Sequence, residues 1–261
     1  MFKNTLILLV LFLPQAAIAA QSTFTPHKAL YDISLKSVSN GSQIANISGK
    51  MYYEWHEDCD AWTSKHRFNL LYEYADEPAM RITSDFSTFE SFDGKTLDFI
   101  SRRKQNGELF EEVRGQAANG QALFSAPGGL SYPLPDNTLF PMAHSKFVLQ
   151  AIKDKQKFAS AILFDGSDDE GPVLVNAIIG APIPNAEKFD AAQDLLNSPA
   201  HRVHLAFFPL SSTEQTPDYE IKLTLHENSI ISDMDINYGA FSVWQELSAL
   251  EPMANACGTH K

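Results

Sequence analysis

"IANISGKMYYEWHEDCDAWTSKHRFNLLYEY", residues 44–74, decides the fold class. Ala45, Ile47, Gly49, Met51, Tyr53 and Trp55 fall on alternate positions. After an interruption around Cys59 the alternation resumes with Trp62, His66, Phe68, Leu70, Tyr72 and Tyr74. Successive side chains of a β-strand point to opposite faces. A sustained period of two therefore marks strands with one buried face.

The same period runs outward in both directions. Upstream, Ala29, Tyr31, Ile33 and Leu35 share a face, while Asp32 and Ser34 take the other. Downstream, RITSDFSTFESFDGKTLDFISRRKQNGELFEEVRGQA (81–117) continues the series, with Asp93-Gly94 and Asn106-Gly107 as hairpin turns. HRVHLAFFPL (201–210) and DYEIKLTLHENSIISDMDINYGAFSVWQELSAL (218–250) repeat the style. There Tyr219, Ile221, Leu223 and Leu225 alternate with Glu220, Lys222 and Thr224.

One segment departs from it. DNTLFPMAHSKFVLQAIKDKQ (136–156) reads as a helix, with Asn137 or Thr138 as cap, Pro141 in the first turn and Lys153 and Lys155 at the end. Phe140, Ala143, His144, Phe147, Val148 and Ala151 make its apolar face. A shorter helix is read at EKFDAAQDLLNSP (187–199). The expected architecture is mainly all-β: an extended antiparallel sheet, curled like a half-barrel around an apolar interior, with one covering helix. No Pro/Gly-rich linker divides residues 20–261, so one domain is expected.

The N-terminus carries a different signal. Lys3 precedes an unbroken apolar run from Leu6 to Leu13, then Pro14 and the small-residue triplet Ala17-Ile18-Ala19. This is the pattern of a signal peptide, residues 1–19, cleaved after about Ala19. The run falls short of the ~20 residues a membrane-spanning helix needs. An exported, periplasmic protein that does not span the membrane is expected. Removing residues 1–19 takes away one Lys and no acid, so 19 basic face 32 acidic residues, a formal charge of −13. That balance argues against nucleic acid and against simple attraction to anionic lipid headgroups. The basic run Arg102-Arg103-Lys104 reads as a solvated strand face or hairpin end.

Candidate chemistry is sparse. FDGSDDEGP (164–172) does not make an EF-hand: counted from Asp165, the sharp-turn position holds Glu170 and the bidentate position holds Asn176. The acidic run, Asp165 to Glu170, reads as a solvated turn between two paired strands, FASAILF and PVLVNAIIG. His201 and His204 fall on opposite faces of a strand and cannot chelate together. His144 reads as a hydrogen-bonded core histidine. No G-x-S-x-G elbow and no Gly-rich phosphate loop occurs. No catalytic residue, metal ligand or cofactor site is assigned. The two cysteines, Cys59 and Cys257, read as a disulfide in an exported chain, with buried free thiols or a metal pair as alternatives.

A set of landmarks in fixed order carries a resemblance. They are HKALYDISL (27–35), GKMYYEW (49–55), CDAWTSKHRF (59–68), FSTFESFDGKTLDF (86–99), LPDNTLFPMAH (134–144), FDGSDDEGP and the late Cys257. Together they resemble the EipB family, cell-envelope-integrity proteins of the alphaproteobacterial periplasm. The resemblance implies a spiralling antiparallel sheet, a disulfide between Cys59 and Cys257, and a non-enzymatic role in envelope maintenance. The partner it implies is an envelope protein or lipid component. The alternative is a lipid or lipoprotein carrier. A continuous apolar cavity would favour the carrier, and a filled interior the scaffold.

Overall fold

The computed structural model describes residues 24–183, 195–211 and 215–254. Among them, fourteen strands form one antiparallel sheet that does not close into a barrel. The first eight run as a meander: β1 (His27–Val38), β2 (Ile44–Glu57), β3 (Ala61–Tyr74), β4 (Met80–Ser91), β5 (Thr96–Gln105), β6 (Glu108–Ala118), β7 (Gln121–Ala126) and β8 (Ser131–Pro133). Helix α1 (Pro141–Lys153) follows. Six more strands complete the sheet: β9 (Phe158–Leu163), β10 (Val173–Ile183), β11 (Ala200–Pro209), β12 (Tyr219–His226), β13 (Ile231–Asn237) and β14 (Phe241–Pro252). The region read as a short second helix shows a 3₁₀ turn at Leu195–Asn197; residues 187–194 of it lie outside the described residues.

The first and last strands meet in the middle of the sheet. β14 pairs with β1 over His27↔Pro252 to Val38↔Phe241, so the sheet's own edges are β8 and β9. The first and last strands are therefore not edges of the sheet; they share a ladder of backbone hydrogen bonds.

The curl brings the true edges together instead. Leu139 donates its N–H to the Ile162 carbonyl at 2.8 Å and accepts from Phe164 N–H at 3.0 Å, bridging onto β9. The β9–β10 connector then crosses to the other end of the sheet. Phe164 packs with Phe99 of β5 and Phe124 of β7 in an edge-to-face aromatic core. Gly166 has φ +68°, and a Cβ there would stand 2.3 Å from the Phe99 ring. Tyr132 of β8 donates its hydroxyl to the Asp169 carbonyl at 2.9 Å. Arg103 of β5 reaches the Ser167 carbonyl at 3.2 Å.

Helix α1 needs more correction. Its N-cap is Phe140, not Asn137 or Thr138, and no side chain of its own segment caps it. Glu90 of β4 does so from across the fold, accepting the N–H of Met142 at 2.7 Å and of Ala143 at 2.9 Å. Two of the donors that every helix start leaves unpaired are thus satisfied by a buried carboxylate. The buried face is Met142, His144, Val148, Leu149, Ala151 and Ile152. Phe147, read as part of that face, is exposed.

Candidate functional site

Beneath α1 the interior is not filled. The inner faces of β1–β3, the buried face of α1 and the inner faces of β11–β13 surround a cavity of about 340 Å³. That lies within the ~300–1,000 Å³ range of small-ligand sites. The period-two rows place its walls. Tyr53 of β2 stands directly opposite His66 of β3. Their rings meet edge to face, with centroids 4.7 Å apart. The lining also includes Val203 and Leu205 of β11, Leu223 of β12 and Met234 and Ile236 of β13.

The cavity's walls differ in polarity. Val203, Leu223 and their neighbours are aliphatic, whereas β1–β3 and α1 contribute His27, Tyr53, Ser64, His66, His144 and Ser145. Trp55 Nε1–H donates to His27 Nδ1 at 3.0 Å, and the same nitrogen lies 2.7 Å from the Thr25 carbonyl oxygen. His27 Nε2 is buried and has no partner among the described residues. His144 is buried, as expected of a core histidine, and its ring shows no hydrogen-bond partner among the described residues. Burial lowers the pKa of His66 and of His144 to about 4. It lowers that of His27 too, against the raising effect of the Thr25 carbonyl. At neutral pH these imidazoles are uncharged. No Asp, Glu, Lys or Arg lines the cavity among the described residues.

Charge sits just outside, on the helix's support. Glu90 is 1 % exposed, and burial pushes its carboxyl up to about 7 against the two backbone N–H groups and Lys146. Lys146 in turn sits over the Trp62 ring, 4.1 Å from its centroid. The lid is therefore fastened at its N-terminal turn, on the side where Trp55, Trp62 and Met142 cluster.

The acidic connector has a structural role. Its flanking strands pair as expected, Val173 opposite Leu163. Asp165 accepts the Ser167 N–H at 2.9 Å and Asp168 that of Glu170 at 3.0 Å. Asp165 is half-buried, and burial raises its carboxyl above the usual range. The charge of Asp168 raises Glu170. No three His, Cys, Asp or Glu side chains form a metal-ligand set among the described residues. His201 is buried, and His204 faces Glu220, with Nε2 2.7 Å from the carboxylate. Cys59 lies in the turn between β2 and β3; Cys257 lies outside the described residues. No described helix is long and apolar enough to cross a membrane.

Comparison with known proteins places this geometry. The family described as EipB-like matches residues 18–254. The "Cell envelope integrity protein EipB" of Brucella abortus is 29% identical over 258 residues, covering 92% of this chain and 88% of that protein. A crystal structure of a beta-barrel-like protein of a domain of unknown function, also from Brucella abortus, superposes with a TM-score of 0.84 at 28% identity. It covers 89% of this chain and 99% of its own.

Proposed function

The chain belongs to the EipB-like family, and from that premise we propose that it maintains the cell envelope by holding an apolar chain in the cavity under α1. The occupant is an acyl chain of an envelope lipid or lipid-modified protein. The observation that carries this reading is the cavity itself. An alternating sheet of this kind fills its interior wherever it has the side chains to do so, as the aromatic core at Phe99 does. Here aliphatic side chains of β11–β13 face an open space instead. The relative's name, an envelope integrity protein, supports the setting. The role is that of a binder, not an enzyme. The signal-peptide pattern of residues 1–19 supports export to the periplasm.

A disulfide between Cys59 and Cys257 fits this setting. Met253 N–H still bonds the Pro26 carbonyl, at the end of the sheet where β2 turns into β3. Four further residues reach ~13 Å, and two strand spacings amount to ~10 Å. Such a bond would pin the C-terminal tail beside the lidded end of the cavity. Thiol alkylation of the exported protein without reductant should label neither cysteine.

The cavity reading is tested by native mass spectrometry of protein isolated gently from envelope fractions. A bound lipid or acylated species is expected, and it should be lost from a cavity-filled Leu223→Trp variant that remains folded. Protein with no bound species, together with full envelope function in that variant, would overturn it.

A further inference from the structure

The cavity's polar end has more hydrogen-bonding capacity than the protein uses. His27 Nε2 and Ser229 Oγ are buried, line the cavity and have no partner among the described residues. His27 as a whole is 1 % exposed. A buried polar group without a partner is costly, so such groups are rare unless something fills the need. These two are close in the fold. Ser229 follows Asn228, whose carbonyl accepts the Thr25 N–H, two residues before His27.

Three more groups extend the patch. Tyr53 and His66 each line the cavity, and neither hydroxyl nor imidazole is hydrogen-bonded within the described residues. The rings form a row: His27 to Tyr53 is 5.6 Å and Tyr53 to His66 is 4.7 Å between centroids. His144 joins them from α1, between Met142 and Lys146, which pack on the Trp55–Trp62 cluster. At the far end, Gln245, whose Oε1 is also buried without a partner among the described residues, stands opposite Ile33, six residues along β1 from His27, or ~20 Å.

Resting on the cavity reading above, we propose that the His27–Tyr53–His66–His144–Ser229 end is a headgroup subsite for an uncharged ester or amide of the bound acyl chain. Neutral imidazoles and hydroxyls each donate and accept, which suits a carbonyl with a neighbouring hydroxyl or N–H. A charged head does not suit it, because the cavity lining holds no ionised side chain to pair with one.

The test uses three probes with the same ten-carbon chain: monodecanoylglycerol, decanoate and decane. Binding is read from tryptophan fluorescence, since Trp55 lines the cavity. Monodecanoylglycerol is expected to bind about tenfold tighter than decane and tighter than decanoate. The double variant His66→Phe, His144→Leu should lose that preference and keep its affinity for decane. Tyr53→Phe, which removes one hydroxyl and keeps the ring, should lose part of it with an unchanged thermal midpoint. Equal affinity for monodecanoylglycerol and decane would overturn the subsite and leave the cavity reading standing. Preference for decanoate would overturn the uncharged head. If none of the probes binds, the cavity reading itself falls, and the subsite with it. A species co-purifying with the native protein should carry the ester or amide, with a free-lipid mass or an acylated-protein mass identifying its source. A plain fatty acid there would overturn the proposal.

Discussion

The same sheet makes two unlike interiors. At the seam, where the β9–β10 connector crosses β5–β8, aromatic rings interlock and glycines take the positions where a Cβ would collide. Gly115 is one: a Cβ there would be 2.5 Å from the end of the Phe99 ring. Under α1, large side chains line a space and leave it open, with buried polar atoms unpartnered. Both regions draw on the same alternating strands, so shortage of apolar residues does not explain the gap. The contrast sets a seam packed to close the curl against a cavity left open, the space in which the proposed ligand would sit. It can be broken by substitutions that add atoms to each.

The largest effect is expected at the seam. Gly166→Val places a branched side chain on the Phe99 ring at a backbone conformation that disfavours it. A loss of about 3 kcal/mol or more is expected by urea unfolding. A cost under about 1 kcal/mol would mean that the connector is not seated on β5, and that the two regions differ less than described.

The lid comes next. Glu90→Ala leaves the Met142 and Ala143 N–H groups buried without an acceptor, and about 2 kcal/mol should be lost. Glu90→Gln keeps one acceptor oxygen and should lose less. pH sharpens the point. With its folded pKa pushed up to about 7, against 4.5 for an ordinary Glu carboxyl, Glu90 holds a proton that the unfolded chain releases. Its contribution is therefore greatest below about pH 4.5 and declines as pH rises through 7, by about 3 kcal/mol at most. His66 and His144, lowered to about 4, act in the opposite sense, adding stability as pH rises from 4 to 6.5. The difference between wild type and Glu90→Gln isolates the carboxylate. It should shrink as pH rises from 5 to 8, and a flat difference would place Glu90 outside the titration.

How far the sequence foretells these regions depends on whether the information is local. Strands are legible because period two repeats within each segment, and Asn106-Gly107 supplies its own turn, with φ of 51° and 90°. Asn119-Gly120 carries the same signal between β6 and β7, at 52° and 75°, and was open to the same reading. The pairing of β14 with β1 is not legible, since no residue of either strand names its partner. The helix cap is not legible either: Glu90 lies in a strand 52 residues away from Met142. Phe147 fits the apolar spacing of α1, yet the lid packs one position round, on Leu149 and Ile152. A cavity leaves no periodic trace, because an inward Val203 reads the same whether its neighbour is a side chain or a space. His27 was missed as a site residue, as were Tyr53, His66 and Ser229. The position of His27 at the head of an alternating row, two residues before Ala29, put it on the inward face and was the one available signal for it.

The smallest effect is expected on the cavity wall, and it bears most directly on the comparison. Val203 is buried in β11 and lines the open space. Adding atoms to a close-packed core typically costs about 1–3 kcal/mol, because neighbours must move. Adding them beside a void gains contacts with its lining and asks nothing to move. Val203→Phe should therefore change stability by less than about 1 kcal/mol, in contrast with Gly166→Val in the same sheet. It should also weaken binding of monodecanoylglycerol and of decane by similar factors, because it takes volume from the chain and leaves the polar end untouched. A seam-like loss of stability would show that the cavity wall is as tightly determined as the aromatic core. Unchanged stability with unchanged binding would show that the ligand lies elsewhere.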